Sequence, residues 1–330
     1  MKQIKNYPIN SSPLYKLSNK TKLAELLGVE RKDLLHFKYT RDNYRCWERD
    51  KKSGNGKRPV EDPKYELKKI QSKLNKLLSR VITSEYLMSG KKHLSYIDNA
   101  QYHQNNPYIF CFDLHSFFQT AKRKYIFKAF VDEFKMSDDI AWLITDLVTI
   151  PKENNSEGYI PTGSPSSQIV IYWAYKSTFD KIFSIAEQKK LKFSLYVDDM
   201  TFSSENPITI NFPKLIIKLC AKVGLEINNK KTKYFSKKQY KDVTGCVITP
   251  RQELKVPNKR RKDLLDVIKN KSIEDMTIKE IRSVYGKLNS MRQIEPNIFP
   301  QIYNRVKKQY YKLGAQYSNK SIKSKVVKND

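Results

Sequence analysis

Apolar positions near the start of the chain recur at helical spacing. Leu23, Leu26 and Leu27 make a stripe that stops at Gly28, and a second short stripe runs through Leu34 and Leu35. A longer stripe, Leu67, Ile70, Leu74, Leu77, Leu78 and Val81, has lysines on its other face and predicts a surface helix over a core. Asp62-Pro63 precedes it, so a capping carboxylate and a first-turn proline are expected. Residues 108–113, YIFCFD, are a short apolar run closing on a carboxylate, which predicts a buried strand with an acid at its end. Helices are expected at about 120–135 and 137–150. The loop GYIPTGSPSS at 158–167 leads into an amphipathic helix to about 188.

The period then changes from helix to strand. In KFSLYVDDMTFSS, residues 192–204, Phe193, Leu195 and Val197 alternate with Lys192, Ser194 and Tyr196. Alternation resumes after Asp198-Asp199, so the segment predicts a hairpin with two carboxylates at its tip. A helix at about 211–223 and a strand pair at about 225–248 follow. Beyond Pro257 the helical stripes return, as Leu264, Leu265 and Ile268 and then Ile281, Val284 and Leu288. Residues 51–58, KKSGNGKR, read as a flexible basic turn between two strands. The final stretch, SNKSIKSKVVKND, is polar and basic and is expected to be disordered.

Charge narrows the class of partner. Lys and Arg number 63 against 34 Asp and Glu, a formal net charge of +29. Such an excess repels itself in a compact fold unless a polyanion screens it, and nucleic acid is the leading candidate. The 21 Tyr and 15 Phe add rings able to stack on bases, although most should be core. A surface for acidic lipid, or charge kept for solubility, are the alternatives. Cys46, Cys111, Cys220 and Cys246 form no CxxC pair and no cluster with histidine, so no zinc site is expected. Cys111 and Cys246 read as buried thiols, which fits a reducing cytoplasm. No apolar run suits a signal peptide or a membrane span.

The candidate chemistry lies in three acids. Asp113 ends one apolar strand, and Asp198-Asp199 sit at a hairpin tip. If those strands are neighbours, the carboxylates converge and repel one another unless cations relieve them. Oxygen-only ligands favour magnesium. Two ions about 3.5–4 Å apart would serve in-line phosphoryl transfer, one activating a 3′-hydroxyl and the other steadying pyrophosphate. An Asp-Asp pair is ordinarily a solvated turn. This one interrupts alternating apolar strands after an aromatic residue and has a partner acid upstream.

On these residues the sequence resembles the reverse transcriptases. Tyr196-Val197-Asp198-Asp199 looks like their YxDD box, motif C, and Phe112-Asp113-Leu114-His115-Ser116-Phe117-Phe118 looks like motif A. Pro161-Thr162-Gly163-Ser164-Pro165-Ser166-Ser167 looks like motif B. Gly224-Leu225-Glu226-Ile227-Asn228 with Lys230-Lys231-Thr232 looks like motif D. The four fall in family order and cover about residues 50–250. Asn99-Ala100-Gln101-Tyr102-His103 and Val243-Thr244-Gly245 match the NAxxH and VTG elements of the retron type. Thr162 stands where the family usually has Gln, and Gln168 where it usually has Pro, which bears on nucleotide handling rather than on the metal ligands.

The resemblance implies an α+β, right-hand polymerase fold. The expected division is N-terminal helices and fingers at 1–105, palm at 106–248 with a fingers insertion around 116–165, helical thumb at 249–317 and basic tail at 318–330. It implies an RNA-directed DNA polymerase with two Mg2+ ions on Asp113, Asp198 and Asp199. The enzyme would recognise a structured noncoding RNA (msr-msd) encoded beside it and prime from a 2′-hydroxyl of that RNA. A branched RNA–DNA product would result, with a role in phage defence alongside an effector protein. Phe118 would be the aromatic gate against ribonucleotides, with ordinary core packing as the alternative. Lys52 and Arg58, flanking a turn freed by Gly54 and Gly56, would grip the triphosphate, or else form a solvated basic loop. Lys57 is a weaker candidate there. Lys231 could protonate pyrophosphate. Gly163 and Ser164 would allow close backbone approach to template and nucleotide, or serve as a structural turn. Asn99 and His103 would support the RNA-binding surface or hold the palm locally, Val243, Thr244 and Gly245 would touch the RNA or form a plain strand end, and cations at 255–263 would track duplex backbone or form a solvated face. Other bacterial reverse transcriptases of abortive-infection or intron type, and a non-catalytic RNA-binding protein of polymerase shape, are the competing readings. An RNA-copying RNA polymerase is disfavoured by Phe118 and by YxDD in place of GDD. No ribonuclease H segment is recognisable after the thumb.

Overall fold

In the computed structural model, which describes residues 6–50, 56–152 and 157–326, with side chains as far as residue 314, the first helix ends where its sequence stops it. Helix α1 (Lys20–Leu27) buries Leu23, Ala24 and Leu27 and closes on Gly28 at φ +68°, a left-handed angle that glycine adopts without strain. Helix α2 (Arg31–Leu35) buries Leu34 but leaves Leu35 exposed, because so short a helix presents one residue inward. Strands β1 (Tyr44–Asp50) and β2 (Lys57–Pro63) form an antiparallel hairpin around the basic turn, in register from Tyr44 opposite Pro63 to Asp50 opposite Lys57.

Helix α3 (Tyr65–Leu78) follows and buries Leu67, Ile70, Gln71, Leu74 and Leu78. The expected Asp62 cap is corrected here. Strand β2 runs on through Pro63, Lys64 takes the cap position, and the Asp62 carboxylate pairs with Arg45 at 2.6 Å and Lys68 at 2.5 Å. Two cations satisfy it better than a backbone amide would.

The chain continues through α4 (Tyr96–His103), β3 (Tyr108–Asp113), α5 (Phe117–Thr120), α6 (Arg123–Asp132) and α7 (Asp138–Val148). A short pair, β4 (Ile150–Pro151) and β5 (Gly158–Tyr159), precedes the long helix α8 (Ser167–Gln188). Every residue from Ile169 to Tyr175 on α8 is buried, so this helix is wrapped on all sides where it crosses the core. The hairpin β6 (Lys192–Tyr196) and β7 (Asp199–Ser204) then leads to α9 (Asn211–Lys222) and β8 (Lys233–Phe235). The sheet order is β6-β7-β3-β8, with β7 antiparallel to both β6 and β3. Phe112, Phe193, Phe202 and Phe212 pack together under it. The strand expected from 225 starts only at Lys233, and a single antiparallel bridge, Leu114 to Ile227, stands before it.

The remaining elements are β9 (Lys241–Val243), β10 (Cys246–Ile248), β11 (Leu254–Lys255), α10 (Asn258–Asn270), α11 (Ile278–Arg292) and α12 (Pro300–Val326). Contacts divide the chain into two units, Met1–Ser95 with Tyr108–Tyr234, and Tyr96–Pro107 with Phe235–Asp330. The second holds the three-stranded antiparallel sheet β11-β10-β9 and a core that includes Val243, Ile248, Ile281, Val284, Leu288 and Met291. Thr277 and Glu280 close a reciprocal cap on α11. Helix α12 extends to Val326, into the stretch expected to be disordered, since no glycine or proline after Gly314 interrupts it.

The architecture is α+β, as expected. Cys220 and Cys246 are buried, whereas Cys111 is only half-buried, because its place on β3 turns it away from the core that Phe112 fills. None of the four cysteines is in a disulfide. No helix among the described residues is long and apolar enough to cross a membrane.

Candidate active site

Antiparallel pairing of β3 with β7 sets Asp113 directly opposite Asp199. The next N–H along, that of Leu114, donates to the Asp198 carbonyl at 2.9 Å. The three predicted acids therefore share one end of one sheet. Asp113 is buried, with its side chain only 10% exposed. Burial pushes the Asp198 carboxyl above its ordinary range, and the negative charge of Asp113 adds to this, against the opposing pull of Lys231 and Arg58.

The loop of motif D is stitched onto the same end. His115 N–H donates to the Glu226 carbonyl at 2.7 Å, and Asn228 N–H donates to the Asp113 carbonyl at 2.8 Å. Two side chains of that loop reach the Asp113 carboxylate: Asn228 Nδ2 at 3.1 Å and Lys231 Nζ at 2.8 Å from Oδ1. The bond to Asp113 holds the Lys231 ammonium above its ordinary pKa, with Asp198 and Asp199 contributing. Lys231 thus rests against the acids while its side chain stays largely open to solvent.

The turn carrying Asp198 is strained and supported. Val197 has φ +57°, a left-handed angle that costs a β-branched residue about 1–3 kcal/mol. Its N–H donates to the hydroxyl of buried Ser89 at 2.9 Å. Ser89 ends a segment that runs beside β6, with Leu195 N–H donating to Tyr86 O at 2.7 Å and Met88 N–H to Leu195 O at 2.9 Å. That segment covers the outer edge of the sheet and fixes where the turn begins.

The other candidates fall in three groups. Arg58 is exposed on β2, and its charge reaches Asp198. Lys57, its neighbour, pairs with Glu48 at 3.1 Å. Lys52 and Gly54 lie outside the described residues, while Gly56 takes φ +87° at the hairpin turn. Phe118 is partly buried on α5, its ring against the core, and its carbonyl accepts from Ile160 N–H at 3.2 Å. That bond seats it beside the loop of motif B.

Gly163 has a reason to be glycine inside the protein itself. A Cβ there would lie 2.6 Å from the Glu61 carbonyl oxygen and 2.9 Å from Asp62 Cα, so the motif B loop abuts the backbone of β2. Ser164 is buried and meets the Ser166 hydroxyl at 3.1 Å.

In the second unit the two short boxes hold each other. Asn99 donates from Nδ2 to Thr244 Oγ1 at 3.2 Å, and the Thr244 hydroxyl donates to the Tyr96 carbonyl at 3.1 Å. Asn99, His103 and Val243 are fully enclosed, and of the five only Gly245 is exposed, at the φ +84° of a tight turn.

The acids suit a divalent ion by donor chemistry. They offer only oxygens, and Asp198 is pushed up by burial first and by the Asp113 charge after it, both of which a bound cation would offset. Among the described residues, no three His, Cys, Asp or Glu side chains already form an ion cage. The Lys231 ammonium is the cation resting on Asp113. Sequence reasoning missed Ser89 and Glu61, which carry no motif. Asn228 lay within motif D, but its reach to Asp113 had no signal of its own.

Residues 50–248 match the family described as reverse transcriptase (RNA-dependent DNA polymerase). The chain is 26% identical over 229 residues to the retron Se72 reverse transcriptase of Salmonella heidelberg, a match covering 68% of this chain and 58% of that protein. It is also 26% identical to the retron Ec83 reverse transcriptase of Escherichia coli, covering 77% of this chain and 83% of that one. A solved structure of telomerase from Candida albicans in complex with a fragment of telomeric RNA is similar at 12% identity and TM-score 0.48, over 82% of this chain and 61% of that one. With the family match spanning more than half of its length, this chain belongs to the reverse transcriptase (RNA-dependent DNA polymerase) family, and the two relatives named above are retron enzymes.

Proposed function

We propose that this protein is the RNA-directed DNA polymerase of a retron. It would copy part of a cognate structured noncoding RNA into single-stranded DNA, starting from a 2′-hydroxyl of that RNA. The observation that carries the reading is the register of β3 against β7, which sets Asp113 across from Asp199 with Asp198 beside them. That juxtaposition joins acids 85 and 86 positions apart in the chain, which a solvated Asp-Asp turn does not require.

Asp113, Asp198 and Asp199 would hold two Mg2+ ions, which would supply activation of the primer hydroxyl and charge relief at the leaving pyrophosphate. Lys231 stays fully protonated at its post on Asp113 and is poised to give a proton to pyrophosphate as the bond breaks. Arg58, exposed with its field reaching Asp198, suits the triphosphate oxygens. Phe118, partly buried on the turn after Asp113, suits the face of the incoming sugar, where a ring would exclude a 2′-hydroxyl. Deoxynucleotide triphosphates, the noncoding RNA and its DNA product are then the ligands. The enclosed Asn99–Thr244 contact would shape the turn at Gly245 rather than touch RNA through Asn99 itself. The basic helices of the second unit would track duplex backbone by charge. Four cysteines outside any disulfide fit work in a reducing cytoplasm. A role in phage defence with a neighbouring effector would go with this reading.

The test is to express the chain with the RNA gene beside it and extract branched single-stranded DNA. The product is expected with the wild-type protein and absent when Asp198→Ala and Asp199→Ala are combined. DNA that still accumulates with that double variant would end the catalytic assignment.

A further inference from the structure

Glu61 is a carboxylate with 1% exposure on a strand whose preceding residues face solvent. Its side chain is committed entirely to the loop of motif B. Oε2 accepts from the Thr162 N–H at 3.1 Å and from the Thr162 hydroxyl at 2.9 Å, and Oε1 accepts from the Tyr159 hydroxyl at 3.1 Å. The backbones meet as well, with Gly163 N–H donating to the Glu61 carbonyl at 3.0 Å. The Thr162 hydroxyl also lies 3.1 Å from the Pro59 carbonyl, one residue from Arg58.

Burying a carboxylate costs several kcal/mol unless it is well hydrogen-bonded, and an apolar pair of similar volume would commonly be as stable. What the polar contact adds is direction, because charge-assisted bonds fix two backbones in one register. Those backbones are the strand carrying Arg58 and the loop leading into α8. Threonine suits the task because its hydroxyl sits on Cβ, close enough to reach a strand in backbone contact. A glutamine would carry its polar atoms two bonds further out. The departure from the family pattern at this position therefore has a local reason.

We propose that Glu61 and Thr162 form a positioning clasp that holds Arg58 at its working distance from the motif B loop, and so sets affinity for the incoming nucleotide. Neither residue touches the reacting atoms. The proposal rests on the reading of this site as a polymerase centre, and the experiment separates the two.

The full chain is assayed with Mg2+, an oligo(dT)-primed poly(rA) template and dTTP. Thr162→Val removes the hydroxyl while keeping size, Thr162→Ser restores it, and Glu61→Gln keeps the shape of the acceptor. Thr162→Val is expected to raise KM for dTTP about tenfold, the scale of losing a hydrogen bond to a charged partner, with kcat within about threefold of wild type. Thr162→Ser is expected to recover most of that loss. Combining Thr162→Val with Glu61→Gln should do no more harm than Thr162→Val alone, since both act on one contact. Template–primer affinity and melting temperature should stay near wild type in Thr162→Val. An unchanged KM in Thr162→Val, or a loss of template affinity equal to the loss of nucleotide affinity, overturns the clasp. A wild-type protein unable to extend the primer overturns the polymerase reading itself.

Discussion

The backbone N–H of Val197 donates to the Ser89 hydroxyl at 2.9 Å, and Val197 is held at φ +57°. The residue before Asp198 is thus kept in a disfavoured conformation by a side chain 108 positions away. Removing the acceptor with Ser89→Ala leaves a half-buried N–H unpaired, a cost of about 1–3 kcal/mol. Asp198 would then lose its fixed place. The expected result is a fall in kcat of about 10²-fold, the scale of a 1 Å misplacement, with KM for nucleotide little changed. Single-turnover kinetics of primer extension would show this, and a rise in KM alone would rule the role out.

Lys231 makes a second prediction, because its ammonium occupies the Asp113 carboxylate that is proposed to bind metal. Lys231→Met removes that competitor. Mn2+ titrated into the protein without nucleic acid, followed by electron paramagnetic resonance, should bind more tightly in the variant. Nucleotide addition should nevertheless slow by about 10²–10⁴-fold if the lysine is the proton donor to pyrophosphate. Weaker Mn2+ binding in the variant would show that Lys231 assembles the acids rather than competing at them.

Phe118 is packed against the core but only partly buried. Phe118→Ala should therefore leave the protein folded while admitting ribonucleotides. The ratio of kcat/KM for deoxyuridine and uridine triphosphates measures it. Discrimination identical to wild type would return Phe118 to the role of a core residue.

The cysteines differ in reach. Burial pushes the Cys220 thiol up to about 12 and the Cys246 thiol up to about 11, whereas Cys46 is exposed on β1. A thiol that stays protonated at about pH 8 is a poor nucleophile. Iodoacetamide should label Cys46 in the native protein and reach Cys220 and Cys246 only after denaturation, as read by mass spectrometry. Early labelling at Cys220 would mean that α9 opens readily.

Periodicity was a good guide wherever one face of an element is buried. The α3 stripe and the β6–β7 hairpin appear where alternation and helical spacing place them, because burying a stripe leaves little choice of rotation. It failed where polar groups compete for partners. Asp62 has the sequence position of a cap, yet two cations from separate elements take its carboxylate. Gly163 was open to two readings, close approach to a ligand or a structural turn, and the neighbour that excludes its Cβ is the backbone of β2. Asn99 and His103, read as supporting an RNA-binding surface or holding the palm locally, are both enclosed.

By itself the sequence determined the elements, the excess positive charge and the order of the four motifs, since each is written in local residue types and spacing. Tertiary structure alone decided which of these meet. Strand register placed Asp113 opposite Asp199, a turn held at Val197 called for Ser89, and a buried Glu61 found Thr162. Such pairings depend on distances across space between residues far apart in the chain. No local pattern encodes them, because a hydrogen bond constrains the positions of two atoms and not the number of residues between them.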